Sequence, residues 1–334
     1  NFIFIKMPSG GLGNLGLTCA INALIQCITH TPSLRTFFIN NSFDESTLSY
    51  QFKDVIELLY IKEASVAPKA LLARLYTLFP NNLRHGEQHD ICELWMLISD
   101  KIAEEVGQNM PAPPKLLEDD PNNLENKLHH VVYNCNNKKI SDWIQYIQGI
   151  QISLLQCKNS NCLEQYYNPE LFTTLTIDIP HINNDKTIDL SSLLLNFYKI
   201  EEMEGWKCDK CNQILGARKQ CKISKLPKIL IIVIKRFLMT ENGSFQKIHN
   251  GINISDSLEF TFNNNTYKYR LCSYGNHLGS YNGGHYTSTI YNIDESDNEN
   301  HNKWLYYDDT NIMKLDKPSF MSNKEVYILF YEMI

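Results

Sequence analysis

The chain has 334 residues, 43% of them hydrophobic and 20% charged, with a formal net charge of -6. That apolar share is enough for one large core, while the acidic balance excludes a general nucleic-acid binder, whose phosphate contacts need a basic face, and suits a basic partner instead. The longest unbroken apolar run, Ile229 to Ile234 in KILIIVIK, falls far short of the ~20 residues that cross a bilayer, so no membrane segment is expected.

In chain order, the start NFIFIKMPSG lacks an initiator Met and carries too short an apolar run for a signal peptide. Residues 1–10 are expected to be an extension cut from a longer protein, and 11–334 a single domain. After GLGNLGLTC, the residues Ile21, Leu24, Ile25 and Ile28 recur at helical spacing with Thr18 as N-cap, which puts Cys19 at or near the first helical position. A second helix is predicted over EQHDICELWMLISDKIAEEV, 87–106, with Ile91, Leu94, Ile98 and Ile102 as its buried stripe. From about 108 to 140 the text turns polar and proline-bearing and reads as a surface excursion with one short helix. Strands then dominate: LFTTLTIDI at 171–179, KILIIVIKRF at 228–237, YKYRLCSYG at 267–275, HYTSTIY at 285–291, KWLYY at 303–307 and EVYILFYE at 325–332. Helices come first and strands later, which predicts an α+β fold. Ten cysteines spread over so long a chain predict a reducing, intracellular setting, cytoplasmic or nuclear.

A thiol at a helix N-terminus meets free N–H groups and the helix dipole, which favour the thiolate and bind an oxyanion. A lone cysteine is more often a small buried hydrophobe, so the chemical reading needs a base. His285 follows Gly283 and Gly284 and opens a strand, and KWLYYDDT begins another eighteen residues further on. If the two strands form a hairpin around NIDESDNENHN, antiparallel pairing brings Asp308 beside His285. The carboxylate would then fix the imidazole tautomer in a nucleophile, base and orienter triad. A histidine that merely caps its strand is the plainer alternative.

GLGNLGLTCAINALIQ, EQHDICEL, LPKILIIVIKRF, GGHYTSTIY, WLYYDDT and EVYILFYE follow in order the boxes of the ubiquitin-specific proteases, and the chain resembles that family of papain-like cysteine deubiquitinases from about Gly11 to Tyr331. The resemblance implies a helical thumb at about 11–145, extended β fingers at about 150–225 and a β palm at about 226–334. It implies Cys19 as nucleophile, His285 as general base and acid, Asp308 as the orienting residue and Asn14 as a side-chain donor to the oxyanion, a position where asparagine also suits a turn. Asp309 is left to orient either the histidine or a water. The implied substrate is ubiquitin or a ubiquitinated protein, taken by a monomer, with the basic C-terminal tail passing Gln88, Asp90, Glu93, Gly283 and Gly284. Asp90 is the first choice for the tail, although carboxylates at a helix start also serve as caps. Leu17 and Ala20 depart from the asparagine and the large aromatic usual in the family. They keep a catalytically weak or silent ubiquitin-binding scaffold in view, as the sequence does a protease for a ubiquitin-like modifier.

Two close cysteine pairs, Cys157 with Cys162 and Cys208 with Cys211, suit a tetrahedral structural zinc, with free thiols or a disulfide as the alternatives. The resemblance puts this zinc at the tip of the fingers. A zinc-ribbon nucleic-acid module would share the pairs, but the acidic balance opposes it. Cys221 is a nearby spare ligand, but one position before the alternating run KISKLP it is expected to pack in a strand.

Overall fold

The apolar stripe after Cys19 folds as α1 (Cys19–Thr29), and every residue of this helix is buried. The computed structural model describes residues 10–61, 65–114, 123–180, 186–240, 242–262, 264–281, 283–292, 304–315 and 318–334. Around α1 pack α2 (Pro32–Asn40), which opens on a proline, α3 (Leu48–Ile61), α4 (Lys69–Leu78) and α5 (Ile91–Val106). The predicted stripe of α5 is buried, with Trp95 and Ser99 added to it. The helix opens at Ile91 and not at Glu87, because the Asp90 carboxylate accepts from the N–H groups of Cys92 and Glu93 and caps it there. The 108–140 stretch holds α6 (Leu124–Cys135), capped by Asn123, and α7 (Asp142–Ile147) follows it.

Fourteen strands carry the rest among the described residues: β1 (Gly149–Cys157), β2 (Gln165–Phe172), β3 (Leu175–Asp178), β4 (Glu201–Met203), β5 (Ala217–Lys225), β6 (Ile229–Lys235), β7 (Phe237–Met239), β8 (Phe245–Lys247), β9 (Ser257–Phe262), β10 (Asn265–Ser280), β11 (Gly283–Tyr291), β12 (Trp304–Asp308), β13 (Asn311–Leu315) and β14 (Val326–Met333), besides four two-residue strands. An eight-stranded sheet runs β13-β12-β11-β10-β14-β6-β3, with β9 on β10. A four-stranded sheet, β2-β1-β5-β4, projects as the fingers.

The six-residue apolar run is β6, buried on both sides. Ile229, Ile231 and Val233 join the helical core, while Leu230, Ile232 and Ile234 join a second core on the far face. That second core is closed by α8 (Leu190–Phe197) through Leu190, Leu193 and Leu194. The predicted strand at 171–179 is two strands, since the chain leaves the fingers after Phe172 and joins the palm, parallel to β6, from Leu175. Arg236, just after β6, is fully buried and donates to the carbonyls of Ile248, Asn250, Asn323 and Val326. Burial draws its guanidinium down to about 10. Residues 1–9 of the expected extension and nearly all of the predicted NIDESDNENHN loop lie outside the described residues.

Candidate active site

The glycine-rich approach to Cys19 has a steric reason. A Cβ on Gly11 would meet Thr310 O at 2.7 Å and Asp309 O at 2.9 Å, and Leu12 N–H donates to Asp309 O at 2.9 Å. The segment before Cys19 is thereby pinned to the turn after β12. Thr18 takes the N-cap position, but its hydroxyl turns back, donating to Asn14 Oδ1 and accepting from Leu15 N–H. The first turn of α1 therefore has no side-chain cap, and its N–H groups stay available to the sulfur and to an oxyanion. Burial holds the Cys19 thiol above its ordinary value, and the nearby Asp309 charge pushes the same way. The backbone N–H groups of Tyr286, Ala20 and Cys19 pull it down without overcoming that. The net direction favours the neutral thiol.

His285 and Asp308 meet as the hairpin argument expects. β11 and β12 pair antiparallel with Ser288 opposite Tyr307, and His285 Nε2 lies 2.6 Å from Asp308 Oδ1. With Nε2–H donated to the carboxylate, Nδ1 keeps its lone pair for the thiol proton. Among the described residues no hydrogen bond joins Cys19 to His285.

The second aspartate has a different partner. Asp309, at φ 52, accepts from Asn14 Nδ2 at 2.9 Å through Oδ2 and from Asn22 Nδ2 at 2.8 Å through Oδ1. Asn14 Oδ1 accepts in turn from Gly16 and Thr18 N–H. Asp309 thus fixes the Asn14 amide, while the hydrogen bond of His285 goes to Asp308. Asn22 was missed. Its signal is a buried polar residue inside an apolar helix, one turn after the nucleophile.

The expected tail residues are placed less uniformly. The Asp90 carboxylate is spent within the chain: Oδ1 caps α5, and Oδ2 accepts the hydroxyls of Tyr286 at 3.2 Å and Tyr327 at 2.8 Å. It is first a post joining α5 to the palm. Glu93 is exposed beside Asn82. Gln88 bonds Gly284 twice, donating from Nε2 to its carbonyl at 2.7 Å and accepting its N–H at Oε1 at 3.1 Å. Gly284 is a glycine for an internal reason as well, since a Cβ there would meet His277 Nε2 at 2.3 Å, while one on Gly283 would make only ordinary contact with Gln88 Oε1 at 3.9 Å. Leu17, at φ 56 and 44% exposed, holds a left-handed conformation that costs a branched side chain ~1 kcal/mol and that asparagine tolerates better. Ala20 is buried.

At the tip of the fingers the sulfurs of Cys157, Cys162, Cys208 and Cys211 lie within 4.8 Å of one another. Cys157 to Cys211 and Cys162 to Cys208 are both 3.8 Å. Zinc–thiolate bonds of about 2.3 Å set the edge of a tetrahedron at roughly 3.8 Å, so the donor set could hold a metal ion and is compatible with zinc. Asn159 N–H donates to Cys157 Sγ, the kind of outer support that orients a ligand. Cys221 lies apart, in β5 opposite Ser153.

Helices carrying a thiol on one wall of a cleft and a sheet carrying the imidazole and carboxylate on the other make this a papain-like cysteine hydrolase architecture. A family model described as ubiquitin carboxyl-terminal hydrolase matches residues 10–331, and the chain belongs to that family. It is 25% identical over 378 aligned positions to ubiquitin carboxyl-terminal hydrolase 4 of Vanderwaltozyma polyspora, covering 97% of this chain and 41% of that protein. It is 26% identical to ubiquitin carboxyl-terminal hydrolase 21 of Rattus norvegicus, covering 97% and 61%. The chain thus spans about two fifths of the length of the first of these relatives. In fold it resembles the SAGA DUB module bound to monoubiquitin, with a TM-score of 0.74 and 22% identity, over 99% of this chain and 70% of that one.

Proposed function

We propose that this chain is the catalytic domain of a deubiquitinating cysteine protease, which cuts the isopeptide or peptide bond after the last glycine of ubiquitin. The observation that carries the reading is the His285–Asp308 bond on β11, the strand that packs against α1, the helix that Cys19 opens. His285 Nδ1 takes the thiol proton as Cys19 Sγ attacks the glycine carbonyl carbon. The second amide proton of Asn14 and the free N–H groups of α1 receive the oxyanion. His285 then protonates the leaving lysine amine, and water releases ubiquitin from the thioester. Asp308 holds the imidazole throughout. Gly283, Gly284, Gln88, Asp90 and Glu93 line the approach of the tail. The division into thumb, fingers and palm at about 145–150 and 225 is part of this reading, as are a monomeric state and an intracellular location. No helix among the described residues is long and apolar enough to cross a membrane.

The purified chain is expected to release a fluorogenic amine from the C terminus of ubiquitin and to leave the same conjugate of a ubiquitin-like modifier intact. The opposite preference, or turnover of neither, would overturn the reading.

The fingertip cysteines bind a structural zinc in this reading, closed by four thiolates with no position for water. Metal analysis is expected to find one zinc per chain. Cys208→Ser should lower that to near zero and open residues 149–225 to proteolysis while Cys19 still alkylates. A metal-free wild-type chain with protected fingers would contradict it.

A further inference from the structure

The strand that carries His285 starts on two glycines, Gly283 and Gly284, and its outer edge is bare there. Along β10 the pairing runs from Gly283 opposite Ser280 to Ile290 opposite Ser273 without a bulge. On the other side β12 begins pairing only at Ser288, and among the described residues no strand covers 284–287 on that edge. Successive residues of a strand turn their backbone groups to opposite edges. Gln88 takes both groups of Gly284, donating from Nε2 to its carbonyl at 2.7 Å and accepting its N–H at 3.1 Å. Gly284 therefore faces the bare edge, and His285 turns its own groups toward Leu278 of β10.

The two bonds act on different peptide planes. The N–H of Gly284 belongs to the plane shared with Gly283, and its carbonyl to the plane whose nitrogen is that of His285. A glycine turns freely about the two torsions between such planes, and from this hinge the imidazole hangs. No larger residue can stiffen it, since a Cβ on Gly284 would meet Nε2 of the buried His277 at 2.3 Å and the Leu278 carbonyl oxygen at 2.5 Å. Gln88 supplies the stiffness from outside by gripping both planes at once. Its own segment is anchored two residues on, where Asp90 caps α5 and accepts the hydroxyl of Tyr286. One three-residue stretch of the helical wall thus holds the residues on either side of His285. We infer that Gln88 is a positioning residue for the general base: it locks the Gly284 hinge and with it the place of the His285 ring beside Asp308. The inference deepens the deubiquitinase reading and rests on it for the role of His285. Both bonds are solvent-exposed, so each adds little to stability. Their effect is on geometry, where a small displacement of a reacting group costs the reaction more than it costs the fold.

Gln88→Met keeps the reach of the side chain and removes both bonds. With a fluorogenic amide of ubiquitin, kcat is expected to fall about 10-fold while KM stays within about twofold of the wild type. In a His285→Ala background the same change is expected to cost nothing further, because a residue that acts through the imidazole then has nothing left to position. A raised KM with kcat unchanged, or an equal loss in both backgrounds, would overturn the inference and make Gln88 a contact of the ubiquitin tail. Amide hydrogen exchange at Gly284 reads the two bonds without any substrate. Its N–H is expected to exchange about 5-fold faster in Gln88→Met than in the wild type, and equal rates would overturn the lock. Faster exchange in Gln88→Met, in a protein whose wild type cleaves no ubiquitin amide, would leave the lock standing and defeat the deubiquitinase reading instead.

Discussion

Replacing His285 with alanine is expected to lower kcat/KM for a ubiquitin C-terminal amide by about 10⁴-fold or more, the scale seen when the base of a nucleophile–base pair is lost. Burial and the Asp309 charge keep the Cys19 thiol above its ordinary value, so at neutral pH the sulfur is protonated and cannot attack unaided. The imidazole has two tasks, taking that proton and returning it to the leaving amine, and the variant loses both. Alkylation of Cys19 should separate them. It needs only the thiolate, so in His285→Ala it should recover as pH rises, while amide cleavage does not. Amide cleavage within tenfold of wild type would show that another group is the base.

Asp309→Ala is expected to reduce kcat about 10²-fold with little change in KM, comparable to losing one oxyanion donor. The carboxylate does not touch His285. It anchors Asn14 Nδ2 at 2.9 Å and is itself held by Asn22 at 2.8 Å, so its loss frees the amide that receives the oxyanion. The same change has a second effect of opposite sign. Asp309 raises the Cys19 pKa through its charge, and removing it stabilises the thiolate, so the pH profile of Cys19 alkylation should move to lower pH while turnover falls. A falling turnover with an unmoved alkylation profile would place Asp309 outside the nucleophile's field. Asp308→Ala should instead act through the imidazole.

The residues of the proposed triad were legible because each sits at a boundary that local rules mark: the first position of a helix, the start of a strand after two glycines, the end of its hairpin partner. The stripe of α5 and the two cysteine pairs were legible for the same reason. Asp308 and Asp309 could not be told apart, since neighbours in sequence are sent to different partners by the left-handed backbone at Asp309. The two hydrogen bonds between Gln88 and Gly284 join residues 196 apart, and no local pattern announces them. Of the finger strands only the one that holds Cys221 was anticipated, and GIQISLLQC was missed because its burial does not alternate. Asp90 was assigned outward for its charge. The fold uses that charge inward, where a helix cap and two tyrosine hydroxyls occupy all four acceptor positions.

The most direct test of the account is mass spectrometry of the chain after incubation with ubiquitin carrying a C-terminal thiol-reactive group, beside Cys19→Ala and a ubiquitin-like modifier probe. The account predicts one adduct, on Cys19, absent from Cys19→Ala and not formed by the other modifier. Binding of ubiquitin without an adduct, or an adduct on a different cysteine, would contradict it and leave a silent ubiquitin-binding scaffold in its place.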